Sequence, residues 1–208
     1  MYTHSKQIRI GGTPAANAKA ALILIHGRGG SAEDIMSLAQ NLNAQDMALY
    51  APQATNHSWY PYSFMAPAKE NQPALDSAIG LIDETVKQAI GDGFAAGQIY
   101  FAGFSQGACL TLEYITRNAK QYGGAVAFTG GLIGEQINMN NYKGNFKNTP
   151  VLITTSDPDP HVPLTRVDAS VAILKRMNAK INLKVYQGKP HSISQNEIVL
   201  ANQYIFNK

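Results

Sequence analysis

The chain has 208 residues, 45% apolar and 15% charged, enough to fill the core of one domain spanning 1–208 and too apolar for a disordered segment. Its formal charge of +3 comes without a dense Lys/Arg cluster, so no nucleic-acid partner is expected. The one cysteine, Cys109, excludes an intrachain disulfide. The polar start 1–6 is no signal peptide, and no later run suits stable membrane insertion, so a cytoplasmic chain is expected.

In chain order, residues 7–10 alternate as a short edge strand closed by Gly11-Gly12-Thr13-Pro14. Residues 20–25 form a continuous apolar run, as a strand buried on both faces requires. The run ends in His26-Gly27-Arg28-Gly29-Gly30. Ser31, with Asp34 three residues on, then caps a helix whose apolar stripe is Ile35, Leu38, Ala39 and Leu42. Residues 47–52 are the next strand.

The loop His57-Ser58-Trp59-Tyr60-Pro61-Tyr62-Ser63-Phe64 places large aromatics where surface is expected. It is either a wall for substrate or a loop folded onto its own hydrophobic cluster. His57, Trp59, Tyr60 and Phe64, together with Leu132 and Val162 further on, are the candidate substrate-binding residues.

A helix is expected over 73–90, stopped by Gly91-Asp92-Gly93. A strand from Ile99 follows, then a helix to about Lys120, and a strand over 125–128. The asparagine-rich stretch 138–148 reads as a surface loop. Strand 150–155, helix 164–177, strand 181–186 and a closing helix 192–206 complete the chain. Strands alternating with helices imply an α/β fold. Its central sheet is mostly parallel, with helices on both faces and ligands beyond the C-terminal strand ends.

Four of those strand ends, around Gly27, Ser105, Asp159 and His191, carry the pieces of a nucleophilic site. Gly103-Phe104-Ser105-Gln106-Gly107 is a Gly-x-Ser-x-Gly turn between an apolar strand and a helix, the pattern that holds a serine in a strained turn above a sheet edge. A serine hydroxyl needs a neutral imidazole to take its proton. His191, in the Gly/Pro turn after the last strand, is the candidate base. Asp159 is the candidate to orient it, with Asp157 as competitor and Asp168 read as solvated. His4 falls in an unstructured start, His57 in the aromatic loop, and His161 too near Asp159 along the chain. His26 is read as holding the 27–30 loop. Backbone N–H groups of Gln106 and Arg28 are the candidate oxyanion donors. No P-loop, Cys-x-x-Cys or His-Glu-x-x-His occurs, so neither a metal nor a nucleotide cofactor is expected.

These motifs, with Asp159-Pro160-His161-Val162-Pro163 and Gly188-Lys189-Pro190-His191, resemble those of the phospholipase/carboxylesterase family, small serine hydrolases that include acyl-protein thioesterases. The resemblance runs from Ala20 onward. It implies an α/β-hydrolase fold without a large lid and Ser105, Asp159 and His191 as the triad, the Asp-Pro-x-Val-Pro frame favouring Asp159 over Asp157. It also implies hydrolysis of small-molecule esters or thioesters. Arg28, where the thioesterase branch carries a hydrophobic residue, and Ser58-Trp59-Tyr60-Pro61 look more like the bacterial carboxylesterase branch. The alternatives are a lysophospholipase or acyl-protein thioesterase, or a hydrolase-fold binding protein without turnover. A homodimer through the aromatic loop is conceivable.

Overall fold

The computed structural model describes residues 2–207. Its strands are β1 (Ile8–Gly12), β2 (Ala20–Ile25), β3 (Met47–Pro52), β4 (Ile99–Phe104), β5 (Gly124–Phe128), β6 (Pro150–Asp157) and β7 (Lys180–Gln187). They form one sheet in the order β1-β3-β2-β4-β5-β6-β7. Every neighbouring pair is parallel except β1 with β3, so the sheet is mostly parallel and the antiparallel strand lies at its edge.

The helices are α1 (Ala32–Leu38), α2 (Ala68–Asn71), α3 (Ala74–Gly91), α4 (Gln106–Arg117), α5 (Leu164–Arg176) and α6 (Gln195–Tyr204). Alternation along β2 explains the two layers. Ala21, Ile23 and Ile25 face α3, α4 and α5, whereas Ala20, Leu22 and Leu24 face α1 and α6. Every residue of β2 is therefore buried, which is why the strand reads as an unbroken apolar run. The architecture is that of an α/β hydrolase, with no inserted lid domain among the described residues. No helix among them is long and apolar enough to cross a membrane.

Capping boxes open the first and last helices. Ser31 Oγ accepts the Asp34 N–H while Asp34 accepts the Ser31 N–H, closing the capping box that opens α1. The last helix starts later than the expected 192. Ser194 is its N-cap, and Glu197 completes the box by accepting the Ser194 N–H at 2.8 Å. Helix α4 stops at Arg117, three residues short of the expected Lys120.

Two stretches are more anchored than their composition indicates. His4 Nδ1 accepts the Thr55 N–H at 3.0 Å, and Nε2 donates to the Trp59 carbonyl at 3.0 Å, so the start of the chain is tied to the aromatic loop. Within 138–148, Tyr142 and Phe146 are buried. Tyr142 donates its hydroxyl proton to Glu113, itself fully buried on α4. Apolar anchors at two positions hold down an otherwise polar excursion.

Because β2 and β4 to β7 run in one direction, the loops that follow them open on one sheet edge. Ile25 pairs with Gly103, Phe104 with Phe128, and Asp157 with Gln187. That register brings residues 26–30, 105, 159 and 191 together despite their distance in sequence.

Candidate active site

Ser105 follows β4 with φ 54° and ψ −117°, a left-handed conformation that a side chain adopts at a cost of about 1–3 kcal/mol. Its backbone is held on both sides. The Ser105 N–H donates to the Phe128 carbonyl at 3.0 Å, and the Ser105 carbonyl accepts the Cys109 N–H at 3.0 Å. The flanking glycines are needed for space. A Cβ on Gly107 would stand 2.1 Å from the Ile25 carbonyl oxygen, and one on Gly103 2.4 Å from the Gly107 carbonyl oxygen. The elbow is thus pressed into the β2 end, beside the 26–30 loop.

His191 Nε2 lies 2.8 Å from Ser105 Oγ, and His191 Nδ1 lies 2.8 Å from Asp159 Oδ2. The second carboxylate oxygen, Oδ1, accepts the N–H groups of His161 and Val162, each at 2.9 Å. These partners assign the roles within the imidazole. Asp159, an obligate acceptor when ionised, takes the Nδ1 proton and leaves Nε2 free to accept from the hydroxyl. The Asp159 side chain is fully buried. Burial alone would raise its pKa, but the bonds from His191 and from the two N–H groups hold it below the ordinary carboxylate value. The His191 ring is flanked by Phe104, centroids 5.3 Å apart, and by His161, edge-on at 5.0 Å.

Of the competing acids, Asp157 ends β6 in register with Gln187, and Asp168 is exposed on α5. His26 is buried between strand ends. It donates from Nδ1 to the Gly27 carbonyl at 2.7 Å and accepts the Ala54 N–H on Nε2 at 3.1 Å, so it braces the loop as expected. Burial holds its pKa below the usual imidazole value, keeping it neutral in that role.

The N–H of Gln106, first residue of α4, has no carbonyl four residues back to bond. No backbone carbonyl among the described residues takes the N–H of Arg28. Both candidate donors therefore remain available on the cleft wall, which Arg28, Ser105 and Gln106 line together. The Gln106 side chain works elsewhere: its amide carbonyl accepts the Trp59 N–H and its NH₂ donates to the Tyr60 carbonyl, both at 2.9 Å. It locks the elbow to the aromatic loop.

The cleft has a volume of about 670 Å³. Tyr60, Phe64 and Val162 line it, as the candidate substrate-binding set requires. His57, Trp59 and Leu132 do not. Trp59 is fully buried behind the wall, its indole N–H donating to the His26 carbonyl at 2.8 Å. Leu132 is sealed in the core beside α5, where its N–H donates to Ser170 Oγ. His57 donates to the Gly30 carbonyl at 2.8 Å and faces a separate concavity with Lys6, Arg9 and Gln53. Within the aromatic loop, Tyr60 and Phe64 thus line the cleft, whereas Trp59 packs behind its wall.

Phe104, Cys109, Pro160 and His161 also line the cleft, outside the expected substrate-binding set. Cys109 is one helical turn from Ser105, and burial pushes its thiol up to about 12, so it serves as apolar lining and not as a nucleophile. Asn71 shapes the wall from behind, accepting the Tyr62 N–H and donating to the Ser63 carbonyl. Its only sequence signal is an asparagine at the end of a short turn before Pro73. No group of His, Cys, Asp and Glu among the described residues is arranged to hold a metal ion.

A family model described as Phospholipase/Carboxylesterase matches residues 11–207. The structure of a phospholipase/carboxylesterase from Dyadobacter fermentans DSM 18053 is similar at 61% identity and a TM-score of 0.99, over 100% of this chain and 99% of that one. Acyl-protein thioesterase 1 of Kluyveromyces lactis is 28% identical over 211 residues, covering 92% of each chain. A probable SOBER1-like carboxylesterase of Arabidopsis thaliana is 26% identical over 140 residues. That match covers 67% of this chain and 53% of the relative, so the chain spans about half that protein's length.

Proposed function

The chain belongs to the phospholipase/carboxylesterase family, and on that premise we propose that it is a serine carboxylesterase. It cleaves short- to medium-chain carboxylic esters or thioesters through an acyl-Ser105 intermediate. The observation that carries the reading is the unbroken relay from Ser105 Oγ through His191 to the buried Asp159, each step 2.8 Å, at the wall of an open cleft.

In acylation, Ser105 Oγ bonds to the ester carbonyl carbon as its proton passes to His191 Nε2. The carbonyl oxygen takes up the negative charge and accepts the N–H groups of Gln106 and Arg28. Each such donor contributes about 10²–10³ in kcat in related chemistry. Asp159 holds Nδ1–H and offsets the imidazolium charge. Collapse breaks the bond to the alcohol oxygen, which receives the Nε2 proton and leaves. Water then attacks the acyl carbon, giving its proton to Nε2. The second collapse returns that proton to Ser105 Oγ and frees the acid.

Hydrolysis of para-nitrophenyl esters from acetate to palmitate, with Ser105→Ala as control, tests the reading. We expect activity peaking at short to medium chains and a loss of about 10⁴–10⁶ in kcat in the folded variant. Wild-type turnover in folded Ser105→Ala would exclude it, and a profile peaking at palmitate would favour the thioesterase branch.

A further inference from the structure

Resting on the serine-esterase reading of this cleft, we infer that its preferred substrates are esters bearing a carboxylate, selected by the Arg28 side chain. Among the described residues, Arg28 is the one of fixed charge lining the cleft, and no Asp or Glu lines it. Asp159 stands behind His191 and is occupied by it.

The guanidinium is held in place without being neutralised. Arg28 Nη1 donates to Ser58 Oγ and to the Pro61 carbonyl, each at 2.9 Å, and Nη2 donates to the Tyr62 carbonyl at 2.7 Å. All three acceptors are uncharged. No carboxylate among the described residues lies within ion-pair distance of Arg28, although Lys6, Arg9, Lys19, Lys87 and Arg117 each have one. Three of an arginine's five donors are used, leaving Nε–H and one Nη2–H for a ligand. The full positive charge persists because neutral acceptors orient it without offsetting it.

The surroundings strengthen the field. Arg166 lies behind the Phe64 ring, its guanidinium 5.9 Å from the centroid, and its partners are again carbonyls, those of Leu132, Gly134 and Glu135. The nearby buried acid, Glu113, is paired with Arg117. Apolar walls supplied by Tyr60, Phe64, Phe104 and Val162 accept a compact hydrocarbon or aromatic body. A substrate that joins such a body to one carboxylate matches both halves of the cleft. A purely neutral ester gains nothing from the exposed Arg28 cation, whose charge only an anionic group can pair.

Two substrate pairs place the charge on either side of the scissile bond. Mono-para-nitrophenyl adipate against para-nitrophenyl hexanoate puts it on the acyl part. Para-(hexanoyloxy)benzoate against its methyl ester puts it on the leaving alcohol. The readout is the ratio of kcat/KM, anionic to neutral, for wild type, Arg28→Gln and Arg28→Lys, with Ser105→Ala as the blank.

We expect Arg28→Gln to lower that ratio about tenfold for at least one pair, the scale of one hydrogen bond to a charged group. Arg28→Lys, which keeps the charge, should retain most of it, and the wild-type ratio should shrink as salt is raised. The inference is overturned if the ratios are the same in wild type and Arg28→Gln for both pairs. Equal losses on anionic and neutral esters would overturn it too, reducing Arg28 to a brace of the aromatic loop. Turnover surviving in Ser105→Ala would instead defeat the esterase reading itself.

Discussion

Replacing Lys189 by Met removes a charge that joins the His191 turn to the core. Lys189 Nζ lies 3.2 Å from Glu197 Oε2, and the two side chains are 10% and 0% exposed. The same ammonium donates to the carbonyls of Pro190 and Ser192, the residues on either side of His191. Glu197 is otherwise satisfied by Thr154 Oγ1 at 2.6 Å and by the Ser194 N–H and hydroxyl, both at 2.8 Å. Breaking a buried pair by removing one partner costs about 3–5 kcal/mol. Here Glu197 keeps three hydrogen bonds and Lys189 is slightly exposed, so about 2–3 kcal/mol is expected. At about 2–4 °C per kcal/mol for a chain of this size, Tm should fall by about 4–12 °C. Loosening both carbonyls beside His191 should also lower kcat about tenfold with KM little changed, since a small misplacement of the base suffices. Thermal unfolding followed by circular dichroism, and para-nitrophenyl butyrate kinetics well below Tm, measure the two effects. Partial recovery of Tm in Lys189→Met/Glu197→Gln would trace the loss to the stranded carboxylate. A Lys189→Met protein with unchanged Tm and unchanged kcat would refute the argument.

Gly107→Ala drives a methyl group to 2.1 Å from the Ile25 carbonyl oxygen and should destabilise by about 3 kcal/mol or more, visible as a lowered Tm or lost soluble yield; a wild-type melt would contradict the packing described. Stability should fall on acidification below about pH 6.5. Burial holds the pKa values of His4 and His26 below 6.5 in the folded chain, so the unfolded chain binds more protons there, and stability rises with pH through that window. Urea midpoints at pH 7.5 and 5.5 should show the drop. His26→Gln, able to keep one of the two loop bonds, should flatten it, and an equal pH dependence in that variant would count against the assignment. Trp59→Ala, which empties a fully buried site and strands the His26 carbonyl, should cost about 3–5 kcal/mol in the same assay.

The strands were the most legible part of the fold, because a run such as Ala20–Ile25 has no polar residue to place on a solvated face. The Ser31–Asp34 box and the Gly-x-Ser-x-Gly turn were equally plain, since each is a local geometry with few compatible residues. Facing was not legible in the aromatic loop. Whether Trp59 or Tyr60 meets the cleft depends on Gln106, 47 residues from Trp59, which takes the Trp59 N–H and fixes the loop's orientation. His4 looked unstructured for the same reason: its partners Thr55 and Trp59 belong to a loop that only the sheet brings near. Lys189 and Glu197 carry no local signal of a pair, and only the packing of α6 beside the His191 turn makes them a buried one. Arg28 stood out as a departure from the thioesterase branch, but its three bonds to Ser58, Pro61 and Tyr62 were beyond any local pattern.

The most direct test of the central claim is intact-mass analysis after treatment with a fluorophosphonate, followed by peptide mapping. The account predicts one adduct, on Ser105, absent in Ser105→Ala and formed far more slowly in His191→Ala because the hydroxyl then lacks its base. An adduct on another residue, or labelling of Ser105 at the same rate without His191, would contradict it.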